Sequence, residues 1–181
     1  MAKVYQDGLS AELAAWVEQQ PLFFVATAPS SGGHVNLSPK GYDALRVLGP
    51  RRLVYRDLTG SGAETAAHLG DNGRITVMWC SFDRLSRILR FQGSGRVVTP
   101  DDGAYHEFDS LLPALPGARA FVEVVADRVA TSCGYGVPHM PTIHERDVLL
   151  RWAEQKGEAD LVAYREQKNR ISIDGLPALE V

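Results

Sequence analysis

Apolar and polar positions along the chain repeat with two different periods, and the switches between them mark the elements. Leu13, Trp16 and Val17 recur at helical spacing after Ser10, a residue able to cap a helix, so a helix is expected over residues 10–19, stopped by Pro21. Residues 22–27, Leu-Phe-Phe-Val-Ala-Thr, are strand-prone throughout and read as a strand buried on both faces. A Pro/Ser/Gly turn at residues 29–33 leads into a returning strand over residues 34–38. Along it Val35 and Leu37 point one way, and Asn36, Ser38 and Lys40 the other. Pro39 favours an extended Ser38.

Further strands are expected over residues 44–48, 52–56, 74–80 and 86–98, with Ile75, Val77 and Trp79 sharing one face. Gly93 and Gly95 interrupt the last of these and point to a bulge, a bend, or the close approach of a ligand or another chain. Helices are expected over residues 63–69, over 101–112 where Pro113 and Pro116 end the run, over 145–156 with Gly157 as its stop, and onward to about 169. Residues 120–131 have the Ala and Glu content of a helix, but Phe121-Val122-Glu123-Val124-Val125 is strand-like. Residues 132–138 form a loop, and 171–177 a short strand and turn.

Six or more strands in hairpin order, with helices flanking them, predict a mainly β fold: a six-stranded antiparallel barrel. No repeat or linker divides the chain, so residues 1–181 are one domain, with the barrel at about 20–132 and C-terminal helices at about 143–169.

Composition narrows the function. A hydrophobic share of 45% and a charged share of 23% are those of a folded globular chain. A net charge of −3 gives no basic footprint, so nucleic acid is not an expected partner. No run of apolar residues is long enough for a membrane span, and the start of the chain lacks a signal-peptide core. Cys80 and Cys133 stand far apart, with no disulfide framework, so a reducing cytoplasm is the expected setting. The five histidines show no metal-ligand spacing, and no metal is expected. No Ser-His-Asp arrangement stands out, and no catalytic residue is assigned.

The stretch Thr59-Gly60-Ser61-Gly62 between a strand and a helix carries the most chemistry. Ser61 followed by Glu64 has capping-box spacing, and Gly70 sits where a C-cap glycine belongs. A glycine-rich turn opening a helix aims free N–H groups at one point, which suits a phosphate. The same residues also read as a turn and a cap with no ligand. It is neither a Walker A loop nor a Rossmann turn, because the required Gly-Lys-Ser/Thr and third glycine are missing. The row of Asn36, Ser38 and Lys40 likewise reads either as an anion-facing edge or as a solvated strand face.

Five short stretches occur in a telling order: Asn36-Leu37-Ser38-Pro39-Lys40-Gly41, Leu53-Val54-Tyr55-Arg56-Asp57, Gly60-Ser61-Gly62-Ala63, Asn72-Gly73-Arg74-Ile75-Thr76-Val77-Met78 and Arg87-Ile88-Leu89-Arg90-Phe91-Gln92-Gly93. Together they resemble the pyridoxamine 5′-phosphate oxidase-like flavoproteins, the FMN-binding split barrels. The resemblance implies an FMN-dependent oxidoreductase acting on a small molecule or electron donor, built as a homodimer with FMN in clefts between the subunits. It implies that Lys40 meets the phosphate and that the strand before it, Val35, Asn36, Leu37, Ser38 and Pro39, lies along the flavin ring; Ser38, beside Lys40, is a further candidate for the phosphate. It implies that Tyr55 and Arg56 close over the ribityl chain and that Ser61 and Gly62 grip the phosphate. The family often carries basic side chains at the last two positions, so here the work falls to backbone N–H groups and Lys40. Ile88 stands where oxidases often place a glutamine near the ring, and Asn169 is a candidate for reaching the partner's flavin. The chain ends without the basic-histidine stretch and Arg-Leu-x-Pro-like tail of the true oxidases, which argues against vitamin B6 oxidation. Deazaflavin coenzyme F420 or haem in the same cleft, and a non-catalytic flavin-binding or sensing protein, are the alternatives.

Overall fold

A computed structural model describes residues 2–141 and 144–180. The expected start of the C-terminal helical region at residue 143, and the terminal Val181, lie outside the described residues. Eight antiparallel strands form one sheet: β1 (Lys3–Val4), β2 (Phe23–Thr27), β3 (Asn36–Lys40), β4 (Leu45–Gly49), β5 (Arg52–Leu58), β6 (Arg74–Cys80), β7 (Ile88–Val98) and β8 (Ala118–Ser132). Their order is β3-β2-β6-β7-β8-β5-β4, with β1 added on β8. Four helices flank them: α1 (Ala11–Glu18), α2 (Glu64–Asn72), α3 (Tyr105–Leu111) and α4 (Val148–Lys168).

The mainly β class holds, with eight strands in place of six. One addition is the two-residue β1. The other is β8, where the β-branched run outweighs the Ala and Glu content because both edges are paired, one with β5 and one with β7. The sheet wraps around one apolar core, to which β2, β5, β6, β7 and β8 contribute Val25, Tyr55, Trp79, Phe91 and Val124, all nearly sealed from solvent. Alternation along β5 and β8 sends Val54 and Phe121 outward instead, where Phe108 of α3 covers them. Ser10 caps α1 by accepting the Leu13 N–H at 3.3 Å, as the spacing predicts. Along β2 the expectation of two buried faces is only half met: Phe23, Val25 and Thr27 are buried, while Phe24 and Ala26 are half-buried.

Two expected caps move. Ser61 does not cap α2: the N-cap lies two residues later, at Ala63, with no side-chain bond there. Gly70 is an interior, exposed helix residue, and Gly73 ends the helix at φ +71°. Tertiary bonds hold the extra turn, since Asn72 donates to the Ala28 carbonyl at 2.8 Å and Asp71 takes the Ser30 N–H. Gly157 breaks α4 with φ +71°, as its stop position predicts.

Candidate functional site

A cavity of about 320 Å³ opens between β3, the start of α2 and the start of β8. From the strand side Asn36, Ser38 and Lys40 enter it, and from the loop and helix come Ser61, Gly62 and Thr65. The alternation of β3 sends these three polar side chains inward, while Val35 and Leu37 face outward at 76% and 62% exposure.

Its polar groups fall into two networks. Lys40 Nζ donates to Asp57 Oδ1 at 2.8 Å, and Arg119 Nε donates to Asp57 Oδ2 at 2.7 Å. Arg119 also donates to Asn169 Oδ1 at 2.7 Å and to the Gly62 carbonyl at 3.1 Å. Asn169 Nδ2 in turn donates to the Gly60 carbonyl at 3.1 Å. The glycine loop is therefore fastened to β8 and to the end of α4. Asn36 donates to Thr27 Oγ1 at 3.1 Å and Thr65 Oγ1 at 3.0 Å, and Thr27 Oγ1 meets His68 Nδ1 at 3.0 Å. Glu64 lines the cavity too, with its carboxylate accepting the Ile173 N–H at 3.1 Å.

Asp57 is fully enclosed. Burial pushes its carboxyl pKa up, but the charges of Lys40 and Arg119 and their hydrogen bonds more than offset this and hold it at about 2. A folded pKa below the unfolded one stabilises the fold above the ordinary carboxylate range, and that stability is lost as pH falls through about 4 towards 2. The pair of values corresponds to roughly 2–3 kcal/mol. Asp57→Asn is therefore expected to be destabilised at neutral pH and to show a shallower loss of stability between pH 4 and pH 2 than the parent chain. Urea unfolding at several pH values measures it, and parallel stability curves would refute it.

The residues expected at the site are not all brought together. Asn36, Ser38, Lys40, Ser61 and Gly62 line the cavity. Tyr55 does not: it is 0% exposed, and its ring packs edge-on to Phe23 in the core at 5.4 Å. Arg56 points to the other face of β5, bonding Asp109 at 2.9 Å and the Leu112 carbonyl at 3.1 Å, with its guanidinium over the Phe121 ring. It borders a smaller cavity beside Gly60, whose lining also includes Lys40. Ile88 lies on β7 opposite Cys80 and Ser132, with β2 and β6 between it and β3. Asn169 is 0% exposed and acts as a brace for Arg119 and the loop, with no surface of its own in the cavity.

Arg119, Thr65 and Asp57 complete the site, and sequence reading assigned none of them a role. The signal for Arg119 was a lone cation at the head of the apolar run of β8. Its placement depends on register: Asp57 pairs with Ala120 and Leu58 with Ala118, so Arg119 is the extra residue of a bulge. Bulges re-aim side chains in this way.

Comparison with known proteins identifies the family and the fold. The sequence profile of the family described as Pyridoxamine 5′-phosphate oxidase matches residues 9–133. The Pyridoxamine 5′-phosphate oxidase family protein ustO of Aspergillus flavus is 39% identical over 193 residues, spanning 97% of this chain and 78% of that one. Among solved structures, HupZ of Group A Streptococcus superposes with a TM-score of 0.51 at 22% identity, covering 67% of this chain and 91% of its own. A Lactobacillus delbrueckii protein named for pyridoxamine 5′-phosphate oxidase superposes at 0.57 and 21% identity, covering 71% and 98%. Both structures share the split-barrel fold. With the profile spanning most of the barrel and a relative matched over nearly the whole chain, this protein belongs to the pyridoxamine 5′-phosphate oxidase family.

Proposed function

We propose that the chain is an FMN-dependent oxidoreductase acting on a small molecule, with the phosphate end of the cofactor in the 320 Å³ cavity. The observation that carries this reading is an orphaned polar atom: Ser38 Oγ is buried and has no hydrogen-bond partner. It lies in the same cavity as Lys40 and as the start of α2, which no side chain caps. An open hydroxyl, an ammonium and unbonded helix N–H groups are what a phosphate monoester needs. When bound, FMN supplies the hydride- or electron-transfer chemistry, and the chain supplies position and charge. Lys40 meets the phosphate charge, Ser38 and Ser61 offer hydroxyls, and Asn36 fixes the adjoining edge of β3. Tyr55, Arg56, Ile88 and Asn169 drop out of the set of ligands drawn from one chain.

Two copies close the cleft in this reading. Val35 and Leu37 leave an apolar stripe on the edge strand β3, and Ile173 beside the cavity is 73% exposed. A second copy of the chain covers that stripe and encloses the flavin ring. A cytoplasmic setting is supported by two unpaired cysteines, Cys80 buried and Cys133 exposed. No helix among the described residues is long and apolar enough to cross a membrane.

The visible spectrum of the purified protein tests the cofactor: flavin bands are expected, and a deazaflavin band or a Soret band would overturn FMN. Titration of apoprotein tests the placement. A charge-assisted contact contributes ~1.5–3 kcal/mol, so Lys40→Ala is expected to weaken FMN by roughly one to two orders of magnitude and to leave riboflavin nearly unchanged. Since Ser61 is no cap, Ser61→Ala should keep the melting temperature and still lose FMN affinity selectively. Equal losses for FMN and riboflavin would move the phosphate elsewhere.

A further inference from the structure

We propose that Arg119 is the second cation for the phosphate, replacing in space the basic side chain that the loop 59–62 does not carry; this rests on the cavity being the phosphate site. Arg119 reaches the cavity because it is the bulged residue of β8 opposite Asp57 and Leu58. Its side chain is only 6% exposed. Three anchors hold the guanidinium: Asp57 at 2.7 Å, Asn169 at 2.7 Å and the Gly62 carbonyl at 3.1 Å. Those bonds use one N–H on each nitrogen. A guanidinium has five, so two remain for a ligand.

The anchors also decide what the ligand is. Asp57 is shared with Lys40, so two cations stand on one carboxylate and that trio carries a net charge of +1. Asp57 stands behind the wall; the carboxylate that lines the cavity among the described residues is Glu64, which offsets that charge and is turned to accept the Ile173 N–H from the C-terminal segment. A planar fork with two free N–H groups suits the oxygens of a phosphate monoester. The bond to Gly62 ties that fork to the loop that opens α2, so cation and helix start face the ligand as one unit. Asn169 and Asp57 act through Arg119 and Lys40 as positioning residues.

The test is a fluorescence titration of apoprotein with FMN and with riboflavin, for the parent chain, Arg119→Met and Arg119→Lys, at low and high salt. For Arg119→Met the expected result is a loss of roughly 10–100-fold for FMN, a change within about twofold for riboflavin, and a weaker salt dependence of FMN binding. Arg119→Lys keeps the charge but not the fork, and is expected to lose several-fold for FMN alone. It serves if the methionine variant does not fold. FMN affinity equal to the parent's in either variant, or equal losses for FMN and riboflavin, would overturn the role of Arg119. A parent protein that binds FMN no better than riboflavin would overturn the phosphate site itself, which separates the two failures.

Discussion

Gly93→Ala is expected to destabilise the protein by about 3 kcal/mol or more, a fall of roughly 10 °C in melting temperature for a domain of this size. Gly93 sits at the bulge between β7 and β8, where Gln92 pairs with Arg128 and Gly93 with Ala126. A Cβ there would stand 2.1 Å from the Val125 carbonyl oxygen and 2.8 Å from Ala126 Cα. Both atoms are backbone of β8, the strand that joins the two halves of the sheet, so no side chain can yield. Gly95→Ala is the control. Its Cβ meets Ile75 Cγ2 and Leu69 Cδ2 at 3.2 Å and the Glu123 carbonyl oxygen at 3.3 Å, two side-chain tips and one backbone atom that need give by only a few tenths of an ångström. About 1 kcal/mol is expected for it. Thermal or urea unfolding compares the two, and equal stabilities would show that β8 yields to the added carbon. At Gly93 the close approach signalled in the sequence comes from β8 of the same chain, and at Gly95 chiefly from Ile75 of β6 and Leu69 of α2.

What the sequence made legible follows from local physics. Period-two alternation located β3 and β6 and even sorted the side chains of β3 into cavity-facing and outward rows. Ser10 was readable because its cap bond spans three residues. What escaped depends on distant pairing. Arg119 faces Asp57 only through a bulge between strands some sixty residues apart, and no local pattern encodes that shift. Gly70 was the helix stop that spacing suggested, and the structure moves it to Gly73. The choice fell to bonds from Asn72 and Asp71 to the turn after β2. Tyr55 and Arg56 show what local reasoning does reach: neighbours on a strand face opposite ways, and each of these side chains is buried on its own side of β5.

Leu37→Asp is expected to split the proposed dimer and to remove the flavin in the same step. An edge strand that shows Val35 and Leu37 at 76% and 62% exposure invites pairing unless something covers it. The inward neighbours of those residues, Asn36, Ser38 and Lys40, line the cavity, so in the proposed dimer the second copy packs on the back of the strand that carries the ligand groups. A second copy that seals it should bury above ~2,000 Å² in total, as obligate interfaces do. A carboxylate forced into such an apolar seam has no cation to pair with and costs several kcal/mol, enough to weaken association by about two orders of magnitude or more. Light scattering at micromolar concentration and the ratio of flavin to protein absorbance read the two effects. Lys40→Ala sets the contrast, because it should lose FMN while keeping the dimer mass. A Leu37→Asp protein that keeps both dimer mass and flavin would refute the interface. One that becomes a monomer yet holds its flavin would show that a single chain completes the cleft.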